Sequence, residues 1–160
     1  MTNFSDIIRA LQAAIAAAEP ESVIYTHVVP TGFERPSVLI EGQKVTMPPD
    51  SVTACRLEFR VKLTIFGPVN DYYDTALIDE LYDRLQTLLR IFACQYVRVG
   101  DRAIKFSAPP QGDVVGLDYG EIVLAFQWWE DMSEMSDIPR PGVTPETGPG
   151  PMMESVELGL

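Results

Sequence analysis

The chain has 160 residues, enough for one domain with a real hydrophobic core. Its 12 basic residues against 23 acidic ones leave a net charge of −11, which argues against a sequence-reading nucleic-acid binder, because such a protein needs a basic footprint for the phosphates. No apolar run reaches the ~20 residues that span a bilayer, so no membrane association is expected. The start, MTNFSDIIRALQAAIAAAEP, lacks the basic n-region of a signal peptide and has Asp6 and Arg9 among its apolar residues, so it reads as a structural helix of a cytoplasmically made protein.

That first helix is predicted over 6–18. Ser5 is its expected cap, Ile7, Ile8, Leu11, Ile15 and Ala18 form one stripe at helical spacing, and Pro20 ends it. A strand is predicted over 22–28, followed by a turn on Pro30 and Gly32 and a second strand over 36–41. Residues 44–51, which contain Pro48 and Pro49, are predicted as a loop or an irregular hairpin tip. Then comes the clearest pattern in the chain, over 52–66: Cys55, Leu57, Phe59, Val61, Leu63 and Ile65 alternate with Arg56, Glu58, Arg60, Lys62 and Thr64. Such alternation describes a strand with one face on a core and the other on solvent or a partner. Its length exceeds the usual ~5–6 residues, so a protruding hairpin arm is expected.

Gly67-Pro68 breaks this strand and Asn70-Asp71 opens a second helix. Its stripe is Leu77, Leu81, Leu85, Leu88 and Phe92, widened by Ile78 and Leu89, with Arg84 opposite. A hairpin of 96–99 and 103–107 turns at Gly100-Asp101. Pro109, Pro110 and Gly112 predict a turn, and 121–129 a last strand with Ile122, Leu124, Phe126 and Trp128 on one face. Beyond residue 132, five prolines among glycines and acids predict an extended tail over 133–160, ordered by binding a neighbour. The expected fold class is α+β: a two-layer, mainly antiparallel sheet covered by two helices, with a long hairpin arm and the extended C-terminal tail. The domain is placed at 1–132.

Little in the sequence can do acid–base or nucleophilic chemistry. The one histidine, His27, falls in a predicted strand with no triad spacing around it. Cys55 and Cys94 are too few and too far apart for a zinc site, and read as buried hydrophobes. Asp71, Asp74, Asp79, Glu80 and Asp83 lack the alternation and central glycine of a calcium loop, and read as a solvated helix face. Neither GxxxxGK nor GxGxxG occurs. In Trp128-Trp129, adjacent strand residues point to opposite faces, so Trp128 belongs to the core and Trp129 to a surface or interface. No enzyme activity, metal or cofactor is expected.

Residues 32–37, Gly-Phe-Glu-Arg-Pro-Ser, lead into an apolar strand, and this stretch resembles a segment of the tail terminator family of long-tailed bacteriophages and related prophage or tail-like elements. The order of a short helix, this segment, a long amphipathic strand, a helix and a closing hairpin is similar to that family over about residues 5–130. The resemblance implies a virion structural protein, assembled in the bacterial host cytoplasm, that forms a homo-oligomeric ring, commonly a hexamer. Such a ring sits on the head-proximal end of the tail tube, ends tube polymerisation and offers a joining surface to the neck. Its partners would be the tail tube protein, the neck or head–tail connector protein and possibly the tail sheath, with DNA passing through an acid-lined channel without sequence-specific binding. Residues singled out for interfaces are Phe33, Arg35, Pro36, Arg56, Arg60, Lys62 and Trp129. Competing readings are a head–tail connector protein and a monomeric small-ligand or peptide-binding α+β module.

Overall fold

The computed structural model describes residues 2–48, 53–68 and 75–131. The predicted tail over 133–160 and the predicted helix opening at Asn70-Asp71 lie outside the described residues. So do Asp71 and Asp74 of the acidic run and Pro49 of the predicted loop.

Helix α1 (Phe4–Ala18) begins two residues earlier than predicted, with Asn3 rather than Ser5 at its N-cap. Asp6 reaches back from the first turn and accepts the Asn3 N–H at 3.2 Å, satisfying one of the donors that a helix start leaves open. The predicted stripe is the buried one: Ile7, Ile8, Leu11 and Ile15 are all within the core. Strand β1 (Val23–Thr26) is shorter than predicted. His27 adopts a left-handed backbone (φ 70°), which turns the chain out of the ladder, and the imidazole is exposed rather than held in a strand.

Strands β2 (Ser37–Thr46) and β3 (Ala54–Phe66) form the long hairpin. Helix α2 (Thr75–Ile91) follows, then β4 (Tyr96–Val99), β5 (Arg102–Phe106), β6 (Gln111–Val114) and β7 (Tyr119–Asp131). The sheet order is β1-β2-β3-β7-β5-β4, with β6 also on β7. Only β1 and β2 run parallel; every other described pair is antiparallel. The fold is therefore α+β, a curled and mostly antiparallel sheet with two helices among the described residues.

β3 is as long as the alternation implied. β2 runs on to Thr46, past its predicted end at 41 and into the predicted loop over 44–51, because Lys44, Val45 and Thr46 still pair with β3. Yet β3 does not outrun the sheet. It is a central strand, paired with β7 from Ala54↔Asp131 to Phe66↔Tyr119. The predicted turn at Pro109, Pro110 and Gly112 is instead partly a strand. β5 pairs with β7 only at Lys105 and Phe106, and β6 takes up the same edge further along, from Gln111↔Val123 to Val114↔Gly120. The backbone groups of the long closing strand thereby find partners that the short β5 cannot supply.

Both helices lie on one face of the sheet. The odd-numbered residues of β3 and the even-numbered residues of β7 meet Ile7, Leu11, Ile15, Leu81, Leu85, Leu88 and Phe92 there. Phe4 packs on Phe59 and Trp128, with ring centroids 4.9 and 5.5 Å away. Gly120 lets α2 approach closely: a Cβ there would stand 3.1 Å from the Leu85 Cδ1 and 2.9 Å from the Asp113 carbonyl. Cys55 is buried as predicted, but Cys94 is exposed. The apolar stripe of α2 ends at Phe92, and the chain has left the helix by the time it reaches Cys94.

Candidate interaction site on the open sheet face

Among the described residues the second face of the sheet carries no helix, and the chain's own loops and side chains cover part of it. At one end it is covered. The connection between the parallel strands β1 and β2 must cross over the sheet, and residues 27–36 do so while laying Phe33 against Phe66 (4.6 Å between centroids). Tyr25 and Tyr119 extend this cluster, at 6.4 Å from Phe33 and 6.3 Å from Phe66. The Arg35 guanidinium stands 5.0 and 5.3 Å from the Phe33 and Phe66 ring centroids. It pairs with the Asp118 carboxylate at 2.9 Å and donates to the Gly67 carbonyl at 3.1 Å. Planar, charged and five-donor, arginine suits such a stacked and multiply bonded place better than lysine would. Pro36, which follows a cis peptide bond, is half-buried, and its carbonyl accepts the Val23 N–H at 3.2 Å.

The resemblance-bearing segment is thus engaged within its own chain. Arg35→Ala is expected to lower the unfolding free energy by about 2 kcal/mol, from a partly buried ion pair, a hydrogen bond to a carbonyl and the lost ring contacts. Arg35→Lys should recover less than half of that. Urea unfolding measures both, and a loss below ~0.5 kcal/mol for the alanine variant would show that the crossover is held by Phe33 alone.

Away from the crossover the face is open, and Arg56, Arg60, Lys62 and Trp129 all lie on it. Lys62 sits between Glu41 and Glu121, at 3.4 and 3.6 Å. Arg56 meets Glu58 at 3.3 Å, and Glu58 also accepts the Thr46 hydroxyl at 2.9 Å. Trp129 is opposite Arg56 and 44% exposed, while Trp128 is buried, as the alternation requires. Arg60 differs from its neighbours. It is exposed, and the residue directly opposite it on β2 is Lys44. Neither cation has a hydrogen bond or ion pair among the described residues.

Reading Lys44 into this group needed the structure. A register shift between Gly42 and Lys44 reverses the side-chain parity of β2, moving Lys44 onto the open face beside Arg60. A cavity of about 140 Å³ is lined by these two cations together with Thr46, Glu58 and Ala125, and a second, of about 350 Å³, runs from Arg60 to Pro109, Gln111 and Val123.

A different polar cluster lies beneath the start of α1. The Glu130 carboxylate is buried, and one oxygen accepts the Thr2 N–H at 2.9 Å, the Trp128 indole N–H at 3.0 Å and the Arg102 guanidinium at 2.8 Å. Arg102 also donates to the Trp129 carbonyl. Burial, the largest single influence, pushes the Glu130 pKa up; the donors of Thr2, Arg102 and Trp128 with the Arg102 charge outweigh it, so the carboxyl titrates below its ordinary range. This is an anchored carboxylate. No group of three or more His, Cys, Asp or Glu positioned for a metal occurs among the described residues, and no helix there is long and apolar enough to cross a membrane.

No protein-family model matches the chain, and no curated protein matches it. A solved structure shares 14% identity with it at a TM-score of 0.47, over 82% of this chain and 96% of its own. A likeness that loose carries no argument about fold or function.

Proposed function

We propose that the chain is a structural protein of a bacteriophage tail or tail-like particle, a tail terminator that works as a ring, hexameric in its relatives by resemblance, on the head-proximal end of the tail tube. The observation that carries this reading is the 32–37 segment, Gly-Phe-Glu-Arg-Pro-Ser, together with the element order around it, which is similar to that family. Supporting it is a sheet face with exposed cations and an exposed tryptophan at its far end, on a domain whose polar clusters otherwise serve as anchors. In this role the protein acts by contacts: it ends tube growth by occupying the last tube subunits and presents its other surface to the neck.

Purified protein should give a particle several times the chain mass in light scattering and a ring with a central hole in negative-stain images. Added to polymerising tail tube subunits, it should shorten the tubes and sit at one end of them. A monomer at every concentration tried would overturn the reading. Rings that bind the portal but leave tube length unchanged would replace it with the head–tail connector reading.

A further inference from the structure

Lys44 and Arg60 face each other across β2 and β3 on the open sheet face, exposed and without an acidic partner among the described residues. Like charges directly opposite in a sheet destabilise it, and here they do so in a chain whose net charge is −11. The acids nearest in the sheet are already occupied: Glu58 by Arg56 and Thr46, and Glu41 and Glu121 by Lys62. An external anion would relieve this pair. On the far layer of the molecule, the exposed side of α2 carries Asp79, Glu80 and Asp83 around Tyr82, which is 57% exposed. These three carboxylates have no ion pair among the described residues. An exposed aromatic ringed by unpaired charge has the make-up of a contact patch that meets its complement in a partner.

We infer that the acidic side of α2 in one subunit docks on the Lys44–Arg60 pair of a second copy of this chain. The two patches lie on opposite layers, so a twofold contact of like with like would set cations against cations. The contact is therefore head-to-tail, the kind that closes into a ring when the rotation between patches permits. This assignment rests on the ring reading above and names the surface that would build it.

The test uses charge reversal in the full-length protein. Lys44→Glu with Arg60→Glu, and separately Asp79→Lys with Asp83→Lys, should each weaken self-association about 100-fold or more. All four side chains are exposed, so both variants should keep the wild-type circular dichroism and should melt like the wild type at dilutions where it too is dissociated. Mixed in equal amounts they should reassemble in alternation, because each contact between the two variants joins opposite charges. Wild-type assembly should also weaken as salt rises to ~0.5 M. If either variant assembles alone like the wild type, this inference fails while the ring reading stands. Failure of the mixture to reassemble overturns the pairing of these two patches. A wild type that is monomeric throughout removes both the ring and its proposed interface. If the sheet variant assembles normally but loses binding to a short DNA duplex, the cations serve phosphate instead and the inference is overturned.

Discussion

Arg84→Ala is expected to lower the unfolding free energy by about 3–5 kcal/mol, the range for removing one partner of a buried ion pair. Arg84 projects from α2, and its side chain is only 13% exposed. Its guanidinium grips the Glu19 carboxylate through two nitrogens, at 3.0 and 3.2 Å. It also donates to the Phe66 carbonyl at 2.8 Å and to the Ser22 hydroxyl at 3.3 Å. Glu19 is the residue at the end of α1, and Phe66 is the last residue of β3. A single side chain thus joins both helices and the central strand. Without it, the Glu19 carboxylate stays buried with only the Ser22 hydroxyl, which donates to it at 2.9 Å. Arg84→Met keeps the packing of the stem and should cost nearly as much, since the loss is electrostatic. Glu19→Gln added to Arg84→Met should restore a substantial part, because the stranded charge is then gone. Urea midpoints at unchanged slope measure all three. A loss under ~1 kcal/mol for Arg84→Ala would mean that water reaches Glu19.

Arg84 also illustrates where sequence reading stops. Arg84, expected opposite the apolar stripe of the second helix, instead shares its face, three residues after Leu81 and four before Leu88. The stripe is visible from spacing, because the helical period is written in neighbouring residues, and so is the place of Arg84 on it. Its partner, 65 residues earlier, is not. The same division runs through the sheet. The alternation of β3 and β7 identified both buried faces and separated Trp128 from Trp129, since period two needs only local information. The parallel pairing of β1 with β2 depends on a ten-residue crossover whose anchors, Phe66 and Asp118, are remote in sequence. Sequence alone could choose Arg35 for its chemistry, but not show that its bonds are intramolecular. The opposite error arises at Lys44, where strict alternation from Glu41 would put the side chain on the core side. The register shift after Gly42 brings it to the open face.

The open face therefore has two parts with different roles. The crossover end is closed by aromatic stacking and Arg35, and substitutions there act on stability first. The Lys44–Arg60 end is exposed and electrostatically unbalanced, so substitutions there should leave the fold intact and change what the face touches. An assembly defect with wild-type circular dichroism, and with the stability of the dissociated wild type, is the signature of the second kind.

Arg102→Ala should cost about 2–3 kcal/mol at neutral pH, the low end for a broken buried pair because Arg102 itself is about a third exposed. Its pH dependence separates it from an ordinary packing defect. In the wild type the Glu130 pKa is lower when folded than when unfolded. The ionised carboxylate therefore adds stability above the unfolded value of about 4.3, and that contribution drains away as pH falls through the folded value. Removing Arg102 removes its hydrogen bond and its charge together. Burial, the largest single influence on this carboxyl, is then opposed only by the donors of Thr2 and Trp128, and the folded pKa rises from its wild-type position. The variant therefore lacks stabilisation that the ionised Glu130 gives the wild type, and this deficit shrinks as the carboxyl takes up a proton on acidification. The gap between wild type and Arg102→Ala should be widest near pH 7 and close towards pH 4. The gap between Glu130→Gln and the double variant Glu130→Gln with Arg102→Ala should be flat with pH, since neither carries the titrating carboxyl of the cluster. Urea unfolding across that range measures the gap, and a pH-independent difference would show that Arg102 stabilises by packing and by its bond to the Trp129 carbonyl rather than through Glu130.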